Sequence, residues 1–88
     1  MAYNMTKKEI IEHLKIDAEY FPFEQIRSYN FLKSQEQHIP LDNTLKQDYL
    51  SFFKDVKKQC EILLENDSNH KNVDLWNEAI GEINKIIN

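Results

Sequence analysis

Between Asp42 and Glu65 eight apolar side chains recur at helical spacing: Leu45, Tyr49, Phe52, Phe53, Val56, Cys60, Leu63 and Leu64. On a helical wheel they fall within an arc of roughly 120°, while Lys54, Lys57, Lys58, Glu61 and Glu65 gather opposite. The pattern predicts an amphipathic helix over 43–65, and a helix with one such stripe must bury it against other elements.

The rest of the chain offers helices as those elements. One glycine, Gly81, and two prolines, Pro22 and Pro40, leave few of the turn signals that close hairpins. Thr6 followed by Glu9 has capping-box spacing, and Ile10, Ile11 and Leu14 then share a face, which predicts a helix over 7–16. Pro22 disfavours helix at Phe21 yet suits a first helical turn, so a second helix is expected over 22–37. Its large apolar residues, Phe23, Ile26, Tyr29, Phe31 and Leu32, spread around most of the circumference. Such a helix is either enclosed or shows apolar surface to something else.

His38 to Leu41 reads as a connector. Asp42, Asn43 and Thr44 compete to cap the next helix, and Thr44 to Gln47 repeats the capping-box spacing. Asn66 to Asn72 is a polar loop of helix-breaking residues. Asn72 or Asp74 then caps a helix over 73–87, with Val73, Trp76, Ala79, Ile80, Ile83, Ile86 and Ile87 on its apolar face and Asp74, Glu78 and Glu82 on the other. Gly81 lies on the polar side, at a cost of about 1 kcal/mol against Ala. Short connections make successive helices antiparallel neighbours. The expected fold is all-α, a compact three- or four-helix antiparallel bundle in a single domain over 1–88.

Composition narrows the setting. With 41% apolar and 30% charged residues in 88, the chain has the balance of a globular domain. A single Cys60 excludes an internal disulfide framework and fits a reducing compartment. Met1 to Lys8 lacks an apolar run of signal-peptide length, and no stretch approaches a membrane span, so a cytoplasmic location without membrane contact is expected. Asn4-Met5-Thr6 and Asn66-Asp67-Ser68 match the glycosylation pattern by chance under that reading. Ten Lys against one Arg, with nine Asn, is the residue usage of AT-rich coding and hints at a low-GC bacterium, its phages or its plasmids. A net charge of −4 opposes nonspecific nucleic-acid binding.

Reactive chemistry is thinly provided for. His13, His38, His70 and Cys60 do not cluster by spacing, and there is no glycine-rich phosphate loop. Glu9 and His13 share a helix face at i, i+4, which reads as an exposed pair. No Glu-x-x-His pairs occur on which a dinuclear iron site could be built. Cys60 lies on the apolar side of its helix, where a thiol is inert. Lys54, Lys57 and Lys58 form a local basic cluster, but Glu61 at i+4 and i+3 turns it into a salt-bridged face. No enzyme activity, metal or cofactor is expected.

Two features read as contact surfaces. One is the aromatic span Tyr20, Phe21, Phe23, Tyr29 and Phe31, since aromatic rings dominate both cores and interface hot spots. The other is the ladder Asp74, Glu78 and Glu82, whose like charges gain the fold nothing and would steer a protein partner with a basic surface. The resulting expectation is a small stoichiometric inhibitor of the immunity or antitoxin type, phage- or plasmid-borne, that covers a partner's functional surface. A self-assembling adaptor of the phage-morphogenesis kind and a small transcriptional regulator are the alternatives.

Overall fold

The computed structural model describes residues 5–88, so Asn4 of the Asn4-Met5-Thr6 triplet and the first half of the leader reading lie outside the described residues. Four helices follow in order: α1 (Lys7–Ile16), α2 (Phe23–Ser34), α3 (Asn43–Asn66) and α4 (Val73–Ile87). They form a small helical bundle measuring 44 × 22 × 21 Å. Its length is set by α3, whose 24 residues span about 36 Å at the usual rise.

The starts of α1 and α3 are fixed by local side-chain hydrogen bonds. At α1 the capping box closes as expected: the Glu9 amide donates to Thr6 Oγ1 at 3.2 Å and the Thr6 amide donates to Glu9 Oε1 at 3.0 Å. Both bonds satisfy donors that a helix leaves orphaned. At α3 the cap is Asp42, whose carboxylate accepts from the Leu45 amide at 3.1 Å. Thr44 therefore sits inside the helix, and the second capping-box reading is corrected: the extended backbone of Asp42 (ψ 131°) puts its side chain ahead of the first turn.

The second helix is shorter than expected. Pro22 follows a cis peptide bond and precedes the helix as its cap residue. At the far end Ser34 donates its hydroxyl to the Phe31 carbonyl at 2.7 Å. The Gln35 amide is shared between the Phe31 and Leu32 carbonyls, and residues 35–39 continue as turns. No apolar residue between Lys33 and His38 fastens that last stretch to the core, so it is held by local hydrogen bonds and the Lys33–Glu36 ion pair.

One cluster of buried side chains draws on all four helices. The α3 stripe supplies Tyr49, Phe52, Phe53, Val56, Cys60 and Leu63, with Leu45 and Leu64 half-buried at its margins. Gln59 is buried beside them. Opposite, α4 contributes Trp76, Ala79 and Ile83, and α1 contributes Ile10 and Leu14. α2 packs its rings on α3: Tyr29 lies 5.3 Å from Tyr49 and edge-on to Phe53 at 5.8 Å, and Phe21, just ahead of α2, is edge-on to Phe52 at 5.7 Å. These offset arrangements suit the ring quadrupoles. α4 returns antiparallel to α3, so that Lys85 and Ile86 come beside Lys46 and Leu50.

The start of α4 holds a contact that no local pattern announces. Asn72 precedes the helix but makes no cap bond. Its side-chain amide donates instead to the carbonyls of Leu14 at 3.2 Å and Lys15 at 2.8 Å, and Trp76 Nε1 donates to the same Leu14 carbonyl at 3.0 Å. Two side chains from one end of the sequence thus satisfy the open carbonyls at the C-terminus of α1. His70 stacks on Trp76 at 4.8 Å and accepts the Asn72 amide through Nδ1 at 3.0 Å, which completes the junction.

Candidate functional site

The aromatic span does not form one surface. Phe21 and Tyr29 are 5% and 4% exposed and belong to the core, so their expected role as partner contacts is corrected. Phe23 is half-buried against the same cluster. Tyr20 and Phe31 are exposed, but they lie apart. Tyr20 borders a cleft with Ile16, Lys71 and Leu75, whereas Phe31 lies at the junction of α2 and α3. The helical turn explains the split within α2: two residues make about 200°, which sends Tyr29 inward and Phe31 out.

Around Phe31 the chain builds an apolar recess of about 230 Å³. Leu32 and Leu45 come from the two helices, and Ile39, Pro40 and Leu41 from the connector between them. Phe31 remains 64% exposed and Ile39 69%. The recess exists because α2 stops at Ser34, the turns over 35–39 reverse the chain, and Asp42 must be extended to cap α3. By sequence Ile39 to Leu41 belong to a mere connector. The available signal was three successive apolar residues in a loop, where polar residues are the rule. Across the end of α2 Lys33 and Glu36 form an ion pair at 2.9 Å. The Lys33 hydrogen bond, with the charges of Lys33 and Lys46 behind it, holds the Glu36 carboxyl below its usual range.

The acidic back of α4 is less uniform than its spacing suggests. Asp74 and Glu78 are exposed, and Asp74 sits in the first turn, where the helix dipole favours a negative charge. Glu82 is half-buried and accepts from Lys85 at 3.3 Å. On α3, Lys54, Lys57 and Lys58 make no ion pair with Glu61 among the described residues, so that face is solvated and not salt-bridged.

The reactive side chains are dispersed and occupied. Cys60 is fully buried, and burial, reinforced by the Glu61 charge, pushes its thiol up to about 12. A thiol so placed is protonated at neutral pH and is no nucleophile. Glu9 serves the α1 cap, and its bond from the Thr6 backbone holds its carboxyl below the usual value. His13 faces Asp17 at 3.3 Å and the Phe21 ring at 5.2 Å, while His70 belongs to the Trp76 junction. Among the described residues no group of three or more His, Cys, Asp or Glu could hold a metal ion, and no helix is long and apolar enough to cross a membrane.

No protein family, curated protein or solved structure matches this chain.

Proposed function

We propose that this chain acts by contact and not by catalysis, binding a partner protein stoichiometrically through the recess at the end of α2. One observation carries the reading. Phe31 and Ile39 stand about two-thirds exposed around one apolar recess, whereas among the described residues the other large rings, Tyr20 aside, are buried or half-buried. A small domain gains stability from every apolar side chain it can bury, and contiguous apolar surface left open marks an interaction site. Phe31 would be the anchor, since a rigid ring buries a large area at little entropic cost. Asp74 and Glu78 add a negative stripe that would steer a basic partner surface. The class that fits is a blocking protein of the immunity or antitoxin kind, acting in the cytoplasm.

Affinity capture on the intact chain, run in parallel with F31D/I39D, tests this. A protein retained by the wild type and lost with the double variant, while both melt alike, is the expected result. Equal retention by both would sink the proposal. The same recess could instead be covered by another copy of the chain, as a self-assembling adaptor would require. Light scattering decides this: an oligomer that F31D/I39D dissolves into monomers would replace the blocking reading with self-association.

A further inference from the structure

A groove of about 550 Å³ lies where α2, the first turns of α3 and the last turns of α4 meet, on the other side of α2 from the Phe31 recess. Tyr29, Leu50 and Ile86 form its apolar lining. Lys33, Lys46 and Lys85 line it as well, one from each helix. Glu82 is the acidic residue in the lining and Glu36 sits beside Lys33, so a chain of net charge −4 gathers three lysines against two glutamates at this place.

The charges there are available. Lys33 and Lys85 each engage a carboxylate of their own helix, Glu36 at 2.9 Å and Glu82 at 3.3 Å. Exposed i, i+3 pairs of this kind contribute little and exchange readily for an external carboxylate. Lys46 makes no ion pair among the described residues. Lysine stems often lie across apolar surface to cover it. Here three stems converge and the groove between them still stays open.

We infer that this groove is a docking site for an acidic, amphipathic segment of another protein, with one apolar side chain seated on Tyr29, Leu50 and Ile86 and carboxylates on either side meeting Lys33, Lys46 and Lys85. The alternation of charge and apolar floor selects this occupant. A compact inorganic anion would satisfy the ammonium groups and leave the floor wet. An uncharged apolar segment would fill the floor and partly desolvate Lys46, which has no ion pair among the described residues, without giving it a partner, and that is unfavourable. An acid–apolar–acid segment satisfies both, and its charge opposes that of the rim, as electrostatic complementarity requires. The site is separate from the Phe31 recess and does not depend on the reading given to it.

Selection of short random peptides on the intact protein tests the inference without knowledge of the natural partner. The expected result is enrichment of peptides with Glu or Asp flanking a large apolar residue. Binding of these peptides should fall about tenfold or more for K33Q/K46Q/K85Q, fall further with rising salt, and be unchanged for F31D/I39D. The glutamine variants keep most of each stem, and equal melting temperatures would show that the fold is retained. Enriched peptides without acidic residues, peptides that bind the triple variant equally well, or a selection that enriches nothing would each overturn it. So would a short single-stranded oligonucleotide that outcompetes the acidic peptides at the groove. Peptides lost only with F31D/I39D would overturn this inference while supporting the contact reading of the recess.

Discussion

The junction of α1 with α4 and the junction of α2 with α3 solve the same problem in opposite ways. Each is a place where a helix ends and leaves carbonyls to be satisfied. At the first, Asn72 and Trp76 reach across from a distant part of the chain, bond the Leu14 and Lys15 carbonyls, and bury an indole completely. At the second, α2 is finished by its own neighbours, Ser34 and Gln35, and Phe31 and Ile39 beside it remain largely in water. Long-range polar contacts make one end rigid and closed. Purely local ones leave the other end open and free to serve a surface.

If that contrast is right, damage should be very unequal at the two ends. Trp76→Ala removes the most: a fully buried ring and one donor to Leu14, an expected loss of about 3 to 5 kcal/mol. Urea denaturation measures it, and a loss under 1 kcal/mol would mean that the junction is not closed. Asn72→Ala keeps the indole but leaves two carbonyls without their amide partner, and should cost about 1 to 3 kcal/mol in the same assay.

A pH scan sharpens the comparison at the centre of the core. The folded state holds the Cys60 thiol near 12, above its ordinary 9.0, so the fold favours the protonated form. That contribution is complete below about pH 9 and is lost as pH climbs from there toward 12. The melting temperature should therefore fall across that window, and Cys60→Ala, although less stable at neutral pH, should show a shallower alkaline decline. Smallest of all should be Phe31→Ala, within about 0.5 kcal/mol of wild type by thermal melting. A larger loss would show the recess to be part of the core.

What could be read from the sequence follows the range of the interactions. The bounds of α1 were legible because Thr6 and Glu9 cap it three residues apart. Those of α4 were legible because its stripe of isoleucines around Trp76 runs without interruption between polar flanks. The α3 stripe named its own core, apart from Gln59, whose burial depends on what packs over it. The end of α2 was misplaced because a serine hydroxyl returning to a carbonyl looks, in sequence, like any surface serine. The role of Asn72 was hidden for a different reason: its partners are 57 and 58 residues away. The recess was missed because Ile39 to Leu41 become a surface only when the connector folds back onto α2 and α3. The separation of Phe31 from Tyr29, by contrast, could have been taken from helical geometry alone.

The bond from Trp76 to Leu14 also sets a schedule for synthesis. Its two ends are 62 residues apart, and at the usual 5 to 20 residues per second the ribosome needs roughly 3 to 12 s to make that stretch. Throughout that interval the first helix exists without the side chains that hold its end. The hydrogen bonds that close its end must then wait for Asn72 and Trp76 to emerge, which makes the C-terminus of α1 late to be secured.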